Sequence, residues 1–273
     1  MKYRYISDCH IHSDASFDGC DSVMMLCENA MRMDLHTITI TDHFECNFYE
    51  DASDDSAFDS VRKSLLETQK AAILFQDKMQ IYRGIEVGQA TQNLLLAQRL
   101  LSEFEFDFVL GSLHNIANMP DFYEIDYAHC NVQALLDQYF EQVLELIEVG
   151  MFDSLAHLTY PLRYIRGEHN IQVSYEVYEK HIDSILNALI RQDKALELNV
   201  SGLRQKIGTT MPCPIVVKRF HELGGKYVTL GSDAHRWADV GSGIETAMDI
   251  LKNAGFDEFT VYVNRKPHLL PIA

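Results

Sequence analysis

Two histidines, His10 and His12, stand two residues apart just after the short run Tyr5-Ile6. On an extended segment they point the same way, because side chains alternate between the two faces of a strand. Two imidazoles converging on one point are what a divalent transition metal needs. The same residue types recur after further short apolar or β-branched runs. They are Asp42 and His43 in Thr41-Asp42-His43, Glu86 in Gly84-Ile85-Glu86-Val87-Gly88, and His114 in Gly111-Ser112-Leu113-His114. His157 follows in Leu155-Ala156-His157, and Asp233 and His235 in Gly231-Ser232-Asp233-Ala234-His235. One His-x-His pattern arises by chance, but recurrence at run after run reads as a single site built from the ends of several strands. Asp42 is either a ligand or a residue that orients His43 or a bound water. His36, His129, His169, His181, His221 and His268 lie outside these motifs and read as ordinary histidines.

The elements that must carry these residues alternate. Strands are expected over 5–10, 36–41, 79–87, 106–110, 152–156, 195–199 and 226–231, the second being the β-branched run His36-Thr37-Ile38-Thr39-Ile40-Thr41. Helices are expected over 22–33 with Asp21 or Ser22 as cap, over 59–76, from a Thr91 cap to Glu103, and over 174–191. Asn131 caps a long helix whose stripe is Val132, Leu135, Leu136, Tyr139, Val143, Leu146 and Ile147, with Gly150 at its end. A helix from Pro214 to Leu223 stops at Gly224-Gly225, and a last helix and strand occupy 244–263. Residues 44–58 and 115–130 read as long acidic and aromatic loops. Strand followed by helix repeats about seven times, which favours a parallel sheet under covering helices. Every metal-type residue falls at the carboxyl end of a strand, where α/β barrels place their chemistry. No linker divides the 273 residues, so the expectation is one α/β barrel as a single domain over 1–273.

Composition bounds the rest. No run approaches the ~18 apolar residues of a membrane span, and the first residues lack a signal-peptide core, so the expected location is the cytoplasm. The six cysteines show no Cys-x-x-Cys pair and read as buried free thiols of a reducing compartment. A formal charge of −17 argues against nucleic acid or an anionic membrane as partner.

In kind and order the motifs resemble the PHP superfamily (polymerase and histidinol phosphatase), and within it the stand-alone histidinol-phosphatase branch. The matching residues run from His10 to His235: His10 and His12, Asp42 and His43, Glu86, His114, His157, then Asp233 and His235. The resemblance implies a distorted (β/α)7 TIM-like barrel and a cluster of two or three divalent metals, zinc, manganese or iron. It implies as ligands His10, His12, His43, Glu86, His114, His157, Asp233 and His235. Many relatives carry one more histidine shortly after His-x-His, where this chain reads Ala15-Ser16-Phe17-Asp18-Gly19. Phe17 cannot ligate, so Asp18 would supply that contact. The implied activity is hydrolysis of a small phosphate monoester, L-histidinol phosphate in the branch named. The alternatives are another phosphate ester or diester, and a non-catalytic metal-binding regulatory module.

Chemistry then assigns roles. Phosphate-ester hydrolysis is among the slowest uncatalysed reactions, and metals can neutralise phosphoryl oxygens and generate hydroxide at neutral pH. A carboxylate such as Glu86 can bridge two metals at ~3.5–4 Å. Bound cations would also reverse, locally, a negative field that otherwise repels the substrate. His235 or Asp233 would protonate the leaving group. Arg163 and Arg204, each just beyond a strand end, are the candidate guanidinium forks for the phosphate. Acidic and aromatic side chains of the two long loops suit a cationic amino alcohol at the other end.

Overall fold

The structure is a computed structural model that describes residues 2–48 and 55–273. Seven parallel strands form the frame: β1 (Ser7–Ile11), β2 (Thr37–Ile40), β4 (Gln80–Gly88), β5 (Phe108–Ser112), β6 (Ser154–Leu155), β7 (Ala195–Asn199) and β8 (Val228–Gly231). They pair in that order, every pair parallel. A short strand, β3 (His43–Glu45), continues β2 beyond a break at Thr41-Asp42. The register on β4 is unchanged across that break, since Thr37 pairs with Gln80 and His43 with Glu86. The barrel is all but closed by a bridge between Ile11 and Ala234, with Asp233 N–H donating to the His10 carbonyl at 2.8 Å and His12 N–H to Ala234 at 2.8 Å. Buried Asp8 fastens this seam, accepting from the backbone N–H of Ser232 (2.8 Å) and of Gly241 (2.8 Å).

Helices fill the crossovers: α1 (Val23–Arg32), α2 (Asp59–Phe75), α3 (Leu94–Glu103), α4 (Val132–Val149), α5 (Tyr160–Leu162), α6 (Glu179–Arg191), α7 (Pro214–Glu222) and α8 (Ile244–Ala254). Local chemistry explains their ends. The Ser22 side chain accepts from Met25 N–H at the start of α1, and Asn131 from Ala134 N–H at the start of α4. Gly150, at φ 70°, closes α4 in the left-handed conformation. Along α4 the buried residues Leu135, Leu136, Tyr139, Val143, Leu146 and Ile147 form the expected stripe. The strands β1, β2, β5, β7 and β8 are buried at every position, as a sheet covered on both faces requires.

Some expectations are corrected. The cap of α3 is Asn93, whose side chain accepts from Leu96 N–H, rather than Thr91, which lies in a preceding 3₁₀ turn. In 44–58, Phe44 and Glu45 belong to β3 and 46–48 and 55–58 are 3₁₀ turns, while 49–54 fall outside the described residues. The helix expected over 174–191 is a 3₁₀ turn, Tyr175–Val177, followed by α6. Only Cys9, Cys27 and Cys46 are buried; Cys130 and Cys213 are half-buried and Cys20 is exposed, all six as free thiols. No helix among the described residues is long and apolar enough to cross a membrane.

Beyond the strand expected near the C-terminus there is a hairpin, β9 (Glu258–Val263) and β10 (Lys266–Pro271), turning at Asn264 and Arg265, both with positive φ. It docks on the end of the barrel opposite the strand C-termini. Asp107 Oδ1 accepts from Asn264 N–H at 3.1 Å, and the Arg265 guanidinium pairs with Asp153 and donates to the Met151 carbonyl at 3.1 Å.

Candidate active site

At the carboxyl end of the barrel the alternation along β1 turns His10 and His12 inward together, with their Nε2 atoms 3.0 Å apart and both side chains fully buried. Glu86, on β4, the next-but-one strand of the barrel, reaches the same point. Its Oε2 lies 3.3 Å from His10 Nε2, 3.5 Å from His12 Nε2 and 3.0 Å from His43 Nδ1. Its Oε1 lies 3.0 Å from His157 Nε2 and 3.3 Å from His114 Nε2. One carboxylate therefore faces two groups of imidazoles, one per oxygen. Asp233 Oδ1 completes the first group at 3.4 Å from His12 Nε2 and 3.8 Å from His10 Nε2. Asp18 approaches from the loop after β1, with Oδ2 3.0 Å from His235 Nε2 and 3.7 Å from His43 Nε2. All nine residues read from the sequence as ligands are thus brought together.

Two of them sit on strained backbone: His157 has φ 25° and Asp233 φ 55°, a region L-residues rarely occupy. Asp42 does not point at the cluster. Its carboxylate accepts from Ser13 N–H (2.6 Å), Ser13 Oγ (2.8 Å), Ser16 Oγ (2.8 Å) and Ser64, and Ser16 Oγ in turn accepts from His43 N–H at 3.0 Å. It holds the turn that carries His12 and His43.

The electrostatics of the cluster are those of a cation site. Burial would push the Glu86 and Asp233 carboxyls up, yet the surrounding imidazoles hold both well below the usual carboxylate range. Burial would press the imidazoles down, yet facing carboxylates hold His10 and His43 well above their ordinary value and His114 up to about 10. His12, surrounded by other imidazoles, is driven well below by burial and by His43 and His235. Three sets of donor atoms lie close enough to share one ion: His10, His12 and Glu86; His43, Glu86 and His114; His12, His43 and His235. Ring nitrogens aimed at one another at 3.0–3.3 Å, with a carboxylate between them, fit divalent metals of the zinc, manganese or iron kind.

A family model for the PHP domain matches residues 8–201. The chain belongs to the PHP domain family. Among curated PHP proteins it is 29% identical over 255 residues to a probable histidinol-phosphatase of Thermotoga maritima, covering 93% of this chain and 94% of that one. It is 26% identical over 249 residues to a probable histidinol-phosphatase of Clostridium acetobutylicum, covering 91% and 93%. Among solved structures it is similar to histidinol phosphate phosphatase of Lactococcus lactis complexed with zinc, L-histidinol and phosphate, with a TM-score of 0.80 and 25% identity over 98% of this chain and 99% of that one.

The PHP cluster opens into a cavity lined also by Phe17, Asp121, Tyr123, Tyr160, Arg163 and Tyr164. Arg163 stands 5.8 Å and 5.5 Å from the Tyr160 and Tyr164 rings, and its guanidinium has no hydrogen-bond or ion-pair partner among the described residues. Arg204 is turned elsewhere: it donates to the Ser232 carbonyl at 2.9 Å, lies 3.5 Å from Asp239, and is not among the lining residues. Phe17 stacks on the His43 ring at 5.1 Å. Asp121 Oδ1 accepts from Tyr123 N–H at 3.1 Å and from Tyr160 Oη at 3.4 Å. Sequence reasoning singled out neither Tyr160, Tyr164 nor Glu197, and it gave Glu45 to a substrate-facing loop, whereas Glu45 lies in β3 and bonds His114. Glu45 lies two residues beyond His43 on one strand, and Glu197 is the lone charge in a wholly buried strand; those were the available signals.

Proposed function

We propose that this chain, as one barrel unit over 1–273, is a cytoplasmic, metal-dependent phosphomonoesterase that hydrolyses L-histidinol phosphate to L-histidinol and phosphate. The observation that carries the reading is one cavity holding both the convergent His and carboxylate cluster and the unpaired Arg163. The likeness to the Lactococcus lactis enzyme, complexed with zinc, L-histidinol and phosphate, supports the substrate. His10, His12, His43, Glu86, His114, His157, Asp233, His235 and Asp18 would hold two or three divalent ions, zinc, manganese or iron. Bound there, such ions supply charge neutralisation for the phosphoryl oxygens and an activated water.

The chain's own groups do the rest. Glu86 keeps two groups of imidazoles in register through its two oxygens. Arg163 holds the phosphate as a fork, and Tyr160 and Tyr164 keep its guanidinium extended into the cavity. Arg204 contributes by fixing the Ser232 carbonyl, next to Asp233. His235, whose Nδ1 donates to the Asp233 carbonyl at 3.1 Å, can either ligate through Nε2 or give a proton from it to the departing alkoxide, not both at once, and Asp233, the other candidate donor, is bound by the same choice. Asp121 and Tyr123 receive the cationic, aromatic end of the substrate.

Phosphate release from a panel of small monoesters, assayed with added zinc, manganese or iron and after chelation, tests the reading. The expected result is highest kcat/KM on histidinol phosphate and loss of activity with chelator. Preference for a plain sugar phosphate would overturn the substrate, and full activity in metal-free protein would overturn the metal chemistry.

A further inference from the structure

We infer that Glu45 and Glu197 are a matched pair of positioning carboxylates, each seated in a space left by a strand-end glycine, that fix His114 and His10 in the tautomer able to bind metal. The inference rests on the reading of those histidines as ligands. Both carboxylates are buried, Glu45 at 3% exposure and Glu197 at 1%, where an acid needs donors to offset the loss of water. Glu197 Oε1 accepts from His10 Nδ1 at 2.6 Å, and its Oε2 accepts from the backbone N–H of His157 at 2.7 Å and from Asn199 Nδ2 at 3.2 Å. Glu45 Oε1 accepts from His114 Nδ1 at 3.0 Å and lies 3.1 Å from His43 Nδ1. A carboxylate can only accept, so His10 and His114 each carry a proton on Nδ1, and Nε2 is the nitrogen left for a metal to take. Those Nε2 atoms face the two different oxygens of Glu86, Oε2 for His10 and Oε1 for His114, both at 3.3 Å. One positioning carboxylate therefore serves each side of the cluster.

The space for each comes from the neighbouring strand. Gly88, the last residue of β4, pairs with Glu45 across the sheet, and a Cβ there would stand 2.1 Å from Glu45 Oε2. Gly231, the last residue of β8, leaves room in the same way: its Cβ would stand 2.2 Å from Glu197 Oε1 and 2.4 Å from His10 Cβ. Neither glycine has positive φ, so side-chain volume rather than backbone conformation demands it.

The two carboxylates differ in a testable way. Every partner of Glu197 is a donor, so the amide of Glu197→Gln must set its NH2 group against one of them. Glu45 Oε2 has no hydrogen-bond partner among the described residues, so Glu45→Gln can turn its NH2 there and keep the bond to His114. Apo-protein titrated with Zn²⁺ against a chromophoric chelator gives stoichiometry and affinity independently of any substrate. Long-range ¹H–¹⁵N spectra give the tautomers. Expected are Nδ1–H signals for His10 and His114, a 10- to 100-fold loss at one zinc equivalent in Glu197→Gln, and less than about threefold in Glu45→Gln. Gly88→Ala, which folds by displacing only the end of the Glu45 side chain, should match Glu45→Ala. Zinc affinity unchanged in Glu197→Gln, or a His10 without a proton on Nδ1 in the zinc-loaded protein, would overturn the inference while leaving the phosphatase reading intact. Wild-type protein that binds none of zinc, manganese and iron would overturn both.

Discussion

Arg163 separates a substrate-binding role from a structural one more sharply than any other residue of the cavity. Its guanidinium lacks a carboxylate partner among the described residues and lies over the faces of Tyr160 and Tyr164. Replacing it with methionine therefore breaks no ion pair, and the aromatic contacts it forfeits are worth about 1–2 kcal/mol, offset by better burial of an apolar side chain. Folding stability should change by no more than about 1 kcal/mol. Binding of a phosphate dianion should suffer much more. Each hydrogen bond to a charged group contributes about 1.5–3 kcal/mol, and a fork makes two, so about 3–6 kcal/mol is at stake. At 1.36 kcal/mol per tenfold this is roughly a 10²- to 10⁴-fold fall in kcat/KM. Arg163→Lys keeps the charge and loses the fork, and should recover about half of that loss on a logarithmic scale. The measurements are steady-state phosphate release from histidinol phosphate and thermal melting of the same samples. A kcat/KM of Arg163→Met within threefold of wild type would refute the phosphate assignment. A large drop in melting temperature would show that the guanidinium stabilises the fold instead.

Other substitutions probe other parts. Glu86→Gln and Asp233→Asn should each lower kcat on the order of 10³-fold or more, because an amide cannot hold or span two cations, while far-UV circular dichroism stays that of wild type. Asp18→Ala should cut activity only partly and weaken one metal equivalent by roughly 10–100-fold, as elemental analysis after dialysis would record. At the far end of the barrel, Arg265→Ala leaves Asp153 buried without its cation. It should cost about 2–3 kcal/mol of stability, somewhat below the cost for a fully buried pair, and lower the melting temperature by roughly 5–10 °C with kcat unchanged.

The sequence reveals most where a local rule and the chemistry coincide. Metal-type residues at the ends of β-branched runs located β1, β2, β4, β5, β6 and β8 to within a few residues, because a buried parallel strand reads as an apolar run and its carboxyl end is where polarity returns. Asn131 and Gly150 delimited α4 for similarly local reasons. What stayed hidden depends on pairing over long distances. Glu197 is an isolated acid in the sequence, and its meaning appears only when His10, 187 residues earlier, closes on it at 2.6 Å. Arg204 is found in its expected loop, but which way its guanidinium turns is decided by the Ser232 carbonyl just beyond β8. The hairpin of β9 and β10 was half missed because Lys266–Pro271 carries two prolines, a poor strand signal, and its turn holds Asn264-Arg265 without a glycine. There Asp107 and Asp153, just before β5 and β6, supply the contacts that hold two residues at positive φ.

Charge at the cavity connects the odd loop residue Asp18 to the acidity of the whole chain. Five carboxylates, Asp18, Glu45, Glu86, Glu197 and Asp233, lie within hydrogen-bonding or ion-pairing distance of the clustered histidines. With neutral imidazoles they leave the site at five negative charges, inside a protein already at −17. Two divalent cations together with Arg163 supply five positive charges and bring the site only to neutrality. A neutral site does not draw a phosphate dianion against the field of the surrounding surface. A third divalent cation would change the sign, and Asp121, a further carboxylate lining the cavity, makes that need the greater. Its donors are on hand in His12, His43 and His235, with Asp18 Oδ2 3.0 Å from His235 Nε2. On this reckoning Asp18, standing beside a phenylalanine that cannot ligate, helps to decide whether the cavity attracts its substrate at all.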